Sequence, residues 1–322
     1  MAKIFVTRHI PGPGLQMLAN AGHELKINEE DRPLTEEELI AELSSQQYEG
    51  VLSLLTDKID SKIFDSTPSI KIYSNYAVGF NNIDVEEAKK RNIVISNTPG
   101  TSTNAVAEFT IALAMNIAKR VDEGDQYIRD GKYKGWNPNL LIGEEILNKT
   151  WGLIGAGRIG GRVAEILHKG FGMNIIYHDI KRNEELEKNF GAKFKENVED
   201  LIKESDIISL HVLLDESTKH LMNKERMAMM KSTAVLINTS RGPVVDEVAI
   251  VEVLKNKKIR GFATDVYELE PSLAEGLKDL PNVVLTPHIA SATEEARNAM
   301  SVQAAENLIN FFEGREVKYR VN

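Results

Sequence analysis

Short apolar runs alternate with amphipathic stretches along the first third of the chain, a pattern that predicts α/β units on a parallel sheet. KIFVT, HELKI, GVLSLL, IKIYSNY and IVISN are the predicted strands within residues 1 to about 100. Between them PGLQMLANAG, LTEEELIAELSSQ, DSKIFDST and DVEEAKKRN carry helical spacing or a capping acid. No glycine-rich phosphate turn opens this domain, which is therefore expected to bind something other than a dinucleotide. After its fourth strand comes the loop NYAVGFNNID, residues 75 to 84, where Val78 and Gly79 offer backbone N–H groups to an anion or simply make a turn.

A Pro-Gly break then precedes TPGTSTNAVAEFTIALAMNIAKRV, a long helical pattern with apolar residues on more than one face. A helix so broadly apolar needs cover on several sides, so it is expected to open the second domain and to serve in core packing or at a subunit interface. The polar linker DGKYKGWNPNLLIGEEILNKT leads to the stretch that organises the rest, WGLIGAGRIGGRVAEILHKG, residues 151 to 170. Trp151, Leu153 and Ile154 read as a buried strand, and Val163, Ile166 and Leu167 repeat with helical period. Between them Gly155, Gly157 and Gly160 stand at G-x-G-x-x-G spacing. The first glycine suits a tight turn, the second lets backbone approach a pyrophosphate, and the third lets helix and strand pack closely. The helix N-terminus would face the phosphates with its unpaired N–H groups.

Such a turn alone is a weak signal, and the residue that strengthens it lies about 20 positions on. The run MNIIYHD ends at Asp179, placed to accept hydrogen bonds from the ribose hydroxyls of an adenosine. The same carboxylate would repel a 2′-phosphate, so NAD(H) is favoured. Lys181 and Arg182 follow directly and keep NADP(H) as the alternative. Beyond this point the alternation resumes through NEELEKNF, AKFK, VEDLIKESD, IISLHV, NKERMAMM, AVLINTS, DEVAIVEVLKN, IRGFATDV and NVVLTP, closing with the helix TEEARNAMSVQAAENLINFFEG. The count predicts a six- or seven-stranded doubly wound sheet. Met227, Met229 and Met230 read as packing.

Composition narrows the function classes. A length of 322 residues accommodates two domains, and 42% hydrophobic with 27% charged residues is a globular balance. A formal charge of −9 with no Lys/Arg cluster argues against a nucleic-acid partner. The absence of cysteine excludes disulfides, thiolate catalysis and Cys-ligated zinc, and no metal is expected. No run approaches the length that spans a bilayer, and MAKIFVTRHI reads as a first strand rather than a signal peptide, so a cytoplasmic protein without a membrane partner is expected.

Three further stretches end strands in loops. INTSRGPVVD presents Arg241, whose planar fork matches a carboxylate bidentately. DVYELEP presents Glu270 and LTPHIASAT presents His288. Singly, each has an ordinary reading: a surface ion pair, one acid of an acidic turn, a structural histidine.

Taken in order, these motifs closely resemble the D-isomer-specific 2-hydroxyacid dehydrogenases over nearly the whole chain. GAGRIG with Asp179 matches the fingerprint, LHVLLDESTKHLMN the second motif and MKSTAVLINTSRGPVVDE the third, followed by DVYELEP and PHIASAT. LLTDKID, YAVGFNNID and GWNPNLLIGEEI look most like the glyoxylate and hydroxypyruvate reductase branch, with D-lactate and phosphoglycerate dehydrogenases as close relatives. Formate dehydrogenases of the family pair the histidine with glutamine, so Glu270 argues against them. The family also contains dinucleotide-sensing corepressors, a non-enzymatic alternative.

The resemblance implies two Rossmann-like/flavodoxin-like α/β domains with doubly wound parallel sheets and the active site in the cleft between them. The substrate domain would comprise 1–99 plus 290–322 and the NAD(P)-binding domain 100–289, with a hinge near Pro99 and Ala290. His288 would give the proton to the carbonyl oxygen, and Glu270 would hold the other ring nitrogen and favour the imidazolium. Arg241 would clamp the substrate carboxylate and polarise the carbonyl, with the Val78 and Gly79 amides adding donors. Along the dinucleotide the resemblance sets Thr103, Gly155, Gly157, Arg158, Ile159, Gly160, Asp179, Val212, Thr218, Thr239, Asp265 and Ser291, with Asp265 on the carboxamide. It also implies a homodimer through the 102–120 helix region, in which Trp136 either borders the neighbouring subunit's pocket or is simply buried at the contact.

Overall fold

Two parallel sheets organise the chain in a computed structural model that describes residues 1–322. The first unit comprises Met1–Ser102 and Ala292–Asn322, the second Thr103–Ser291.

In the first unit the order is β1 (Lys3–Val6), α1 (Gly14–Asn20), β2 (Glu24–Ile27), α2 (Glu36–Ser45), β3 (Gly50–Leu54), α3 (Ser61–Ser66), β4 (Ile72–Tyr76), α4 (Val85–Lys90) and β5 (Val94–Ser96). The sheet runs β2-β1-β3-β4-β5, all parallel, the flavodoxin-like order. Successive β1 side chains alternate between two cores: Phe5 joins Tyr48, Phe64 and Tyr73, while Ile4 and Val6 join Leu18, Leu52 and Leu308. Both faces are therefore covered, as a parallel sheet requires.

The second unit begins with α5 (Thr103–Lys119) and α6 (Val121–Arg129), broken at Arg120, whose φ of 57° is left-handed. There follow β6 (Thr150–Ile154), α7 (Arg158–Phe171), β7 (Asn174–His178), α8 (Glu184–Phe190), β8 (Lys193–Phe194), α9 (Val198–Glu204) and β9 (Ile207–Leu210). Then come α10 (Lys224–Met227), β10 (Val235–Asn238), α11 (Glu247–Lys255), β11 (Gly261–Thr264) and β12 (Val283–Leu285). The seven strands run β12-β11-β10-β9-β6-β7-β8, the dinucleotide-fold order with one added strand. Trp151, Leu153, Val235 and Ile237 face one core, whereas Ile154 and Leu236 face the other.

The last helix, α12 (Glu294–Phe312), belongs to the first unit. It lies so close to α1 that a Cβ on Gly14 would sit 2.2 Å from the Ser301 carbonyl oxygen, and Ser301 Oγ accepts from Gly14 N at 2.8 Å. The breaks between units fall after Ser102 and Ser291 rather than after Pro99 and Ile289. Hydrogen bonds account for both offsets. Thr98 N donates to Ala77 O and Gln303 Nε2 to Pro99 O, whereas Ala290 N donates to Asp265 Oδ2 in the second unit. No helix is long and apolar enough to cross a membrane.

Helix α5 is mostly core: nine of its residues, including Ile111, Leu113 and Ile117, are buried within its own unit. Much of the 102–120 helix is thus an internal packing element of its own unit. The stretch after it carries exposed apolar residues, Val121, Ile128, Tyr133, Trp136, Ile142 and Leu147.

Candidate active site

The glycine turn between β6 and α7 has the geometry its spacing predicts. Gly155 has φ +95°, and a Cβ there would meet the His211 carbonyl oxygen at 2.6 Å. Gly157 has open space on its Cβ side, which leaves room for a ligand against bare backbone. Gly160 packs so tightly that its Cβ would lie 2.1 Å from Gly155 O. No side chain caps α7 at Gly157, so its first amides have no intrahelical or capping partner and suit an anion. Beyond β7, Asp179 Oδ2 accepts from Ala156 N at 2.6 Å, which locks the carboxylate beside the turn. Its Oδ1 accepts only a long 3.3 Å contact from Lys181 N and keeps capacity for hydroxyl donors. A dinucleotide fits this arrangement: an uncapped helix end for the diphosphate and a fixed carboxylate for a ribose. Arg182 grips Glu187 through Nε and Nη2, both at 2.7 Å, so its fork is already engaged.

Under the turn lies a side chain that the motifs did not single out. Trp151 Nε1 donates to Ser209 Oγ at 2.7 Å, and that hydroxyl contacts His211 Nε2 at 2.8 Å. The Ser209 hydroxyl thus links the indole N–H, which can only donate, to the imidazole. Burial pushes the pKa of His211 down to about 3, so it stays neutral.

The carboxyl ends of β10, β11 and β12, neighbours in the sheet, carry the other candidates. His288 Nδ1 lies 3.0 Å from Glu270 Oε2, and Glu270 Oε1 accepts from Tyr267 N at 2.9 Å. Both side chains remain partly exposed, 27% for His288 and 34% for Glu270. Burial pushes the Glu270 carboxyl up, but the His288 hydrogen bond and charge, the Tyr267 amide and the nearby Arg241 charge together hold it below its ordinary 4.5. Arg241 is drawn down by burial, against the raising effect of Glu270. Its Nη1 donates to Ser240 O at 2.7 Å. A Cβ on Gly242 would lie 1.9 Å from Tyr267 C and O, so only glycine lets the Arg241 turn press against the backbone leading to Glu270.

Behind these groups stands a bracing layer. Glu247 is buried, and its two oxygens accept from Glu268 N and Ala274 N at 2.8 and 3.1 Å, on either side of Glu270. Burial is the largest cause of its raised pKa. His220 Nε2 meets Glu268 Oε1 at 2.6 Å.

Other expected cofactor residues fall into distinct situations. Thr103 and Arg158 begin α5 and α7, Ile159 packs partly into the core beside them, and Val212 follows β9. Ser291 ends the second unit. Thr239 Oγ1 lies 2.8 Å from Thr110 Oγ1, which donates its own proton to Val106 O, so Thr239 is the donor of that pair. Thr218 closes its own turn, donating to Leu213 O at 2.6 Å and accepting from Asp215 N at 2.8 Å. Asp265 is fully buried and fastens the loop that bears His288. Its oxygens accept from Thr286 Oγ1 (2.7 Å), Ile289 N (2.9 Å) and Ala290 N (2.7 Å). This bracing role was not among the expectations, and the Thr-Pro-His run was its only local trace.

In the first unit, Val78 and Gly79 follow β4. Neither N–H donates to an acceptor in the chain, and Gly79 is buried. A buried amide without a partner is expensive, so this pair is suited to an anion. Trp136 stands apart from all of these residues by its exposure, 84%.

Residues 111–290 match the family described as D-isomer specific 2-hydroxyacid dehydrogenase, NAD binding domain. The chain belongs to that family. Among its curated relatives, the glyoxylate reductase of Thermofilum pendens is 45% identical across 99% of this chain and 94% of the relative. Among solved structures, a glyoxylate reductase from Paecilomyes thermophila is 31% identical with a TM-score of 0.87, covering 99% of this chain and 98% of that one. An NADPH-dependent glyoxylate/hydroxypyruvate reductase of Sinorhizobium meliloti, solved with NADP and malonate, is 30% identical at a TM-score of 0.85, over 99% and 96%. A nicotinamide coenzyme goes with this family, and the Gly155–Gly160 turn and Asp179 lie within the residues that match its NAD-binding domain.

Proposed function

We propose that this dehydrogenase reduces small 2-oxo acids, with glyoxylate and hydroxypyruvate as leading substrates, to 2-hydroxy acids of D configuration. The observation that carries the reading is the Glu270–His288 pair beside Arg241, on the ends of three adjacent parallel strands. A nicotinamide coenzyme, when bound, would supply the hydride. His288 Nε2 holds the proton for the carbonyl oxygen, while Nδ1 is engaged by Glu270. Tyr267 N fixes the other oxygen of Glu270, so the imidazole keeps one orientation. Arg241 takes the substrate carboxylate, and the Val78 and Gly79 amides of the first unit are read as donors to a carboxylate. A panel of glyoxylate, hydroxypyruvate, pyruvate and a bulky aromatic 2-oxo acid, each with NADH and NADPH, tests the assignment. The two small substrates should give the highest kcat/KM, and a preference for the aromatic acid would overturn the choice.

NAD(H) is the favoured coenzyme. Asp179 brings a carboxylate to the ribose, and Arg182 is neutralised by Glu187, leaving Lys181 as the nearby cation. Asp179→Ala should raise the KM for NADH about 10-fold while leaving that for NADPH unchanged or lower, since one lost charge-assisted hydrogen bond costs roughly 1.5–3 kcal/mol. Equal losses with both coenzymes would mean that Asp179 does not touch the ribose.

The active form is a homodimer in this reading. Support comes from the exposed apolar side chains between Val121 and Leu147, with Trp136 among them.

A further inference from the structure

The direction of the Val78 and Gly79 N–H groups is set by what holds the carbonyls in the same peptide planes. A trans peptide is planar, with its N–H antiparallel to its C=O, so fixing one aims the other. The Ala77 carbonyl shares its plane with the Val78 N–H and accepts from Thr98 N at 2.9 Å. The Val78 carbonyl shares its plane with the Gly79 N–H and accepts from Asn97 Nδ2 at 2.7 Å. Both pins come from consecutive residues after β5, one through backbone and one through a side chain.

Asn97 is itself immobilised. It is buried, its N–H donates to Tyr319 O at 3.2 Å, and its carbonyl accepts from Asn307 Nδ2 at 3.1 Å. On the far side of the loop Asn75 Nδ2 donates to Gly79 O at 3.1 Å and to Asn82 Oδ1 at 3.2 Å. The β4–α4 loop therefore has three consecutive carbonyls tied back, at Ala77, Val78 and Gly79, and two N–H groups left without an acceptor.

We propose that Asn97 is a positioning residue for substrate binding: its side-chain amide, by holding the Val78 carbonyl, aims the Gly79 N–H at the carboxylate of a 2-oxo acid. The proposal rests on the reading of the Val78 and Gly79 amides as carboxylate donors. Without the Asn97 amide the 78–79 peptide loses the bond that fixes its plane, and with it the aim of the Gly79 N–H.

Asn97→Ala should raise the KM for glyoxylate and the Ki for oxamate, an unreducible 2-oxo-acid analogue, by about 10-fold each. The KM for NADH and kcat should stay within about 2-fold, a split that general destabilisation would not give. Asn97→Asp, with the same shape but an oxygen facing the Val78 carbonyl, should be at least as impaired in oxamate binding. It serves as the second variant if alanine does not fold. Hydrogen exchange of a peptide spanning residues 76–82, measured on NADH-saturated enzyme with and without oxamate, separates the two layers of the argument. Oxamate should slow exchange there in the wild-type protein. No slowing would overturn the carboxylate reading of Val78 and Gly79. Slowing with unchanged oxamate affinity in both variants, or an equal rise in the KM for NADH, would overturn the role of Asn97.

Discussion

His288→Ala should lower kcat for 2-oxo-acid reduction by roughly 10²–10⁴-fold, the usual contribution of a positioned general acid. NADH affinity should stay near that of the wild type. The expected selectivity follows from where the side chain lies. His288 has φ +56°, a left-handed conformation that a β-carbon disfavours, and it is kept there by the loop around it. The His288 amide donates to Asp265 O, and Asp265 takes the Ile289 and Ala290 amides with its side chain. These bonds do not involve the imidazole, so the loop survives its removal. The pH dependence has a defined sign. Glu270 titrates below its ordinary 4.5 in the folded chain, so its stabilising contact is complete above that value and is lost as pH falls through the lowered one. Glu270 therefore stays charged across the neutral range, and any change of kcat near neutrality belongs to another group. A His288→Ala enzyme that retains kcat within a few-fold would remove His288 from proton transfer.

Arg241→Ala should reduce kcat/KM for glyoxylate by about 10²-fold or more, because it removes both the bidentate partner of the carboxylate and a charge beside the carbonyl. Lysine should restore only part of the loss, since a point charge lacks the planar fork. The turn carrying Arg241 is held by Gly242 against Tyr267 and by Asn238 Nδ2 on the Arg241 carbonyl at 2.9 Å, so the backbone should remain in place. Steady-state kinetics with glyoxylate and with NADH as the varied substrate check this. A loss confined to NADH would contradict the carboxylate assignment.

Much of the architecture was legible because buried parallel strands are nearly continuous apolar runs bounded by turns, and every predicted strand has its counterpart among β1–β12. Helix α6 was not foreseen. Its sequence VDEGDQYIR is mostly polar with a central glycine, and Val121 and Ile128 are exposed, so no core contact marks it. The helix expected over NKERMAMM is only four residues long, Lys224–Met227. The glycine turn and Asp179 were readable because their chemistry is local. Asn97, Gly242 and Asp265 were not read as positioning groups because each acts on a partner distant in sequence: Val78, Tyr267 and the Thr286–Ala290 loop. Asn75 left one clue, a polar side chain in a strand whose five residues are all buried. The Thr218 hydroxyl, by contrast, makes only local bonds, donating to Leu213 O and accepting from Asp215 N within its own turn.

The most direct test of the account is product analysis. Purified protein with NADH and hydroxypyruvate should oxidise the coenzyme and yield one equivalent of D-glycerate per NADH consumed, resolved on a chiral column. Formation of L-glycerate, or no turnover by a protein that demonstrably binds NADH, would contradict it.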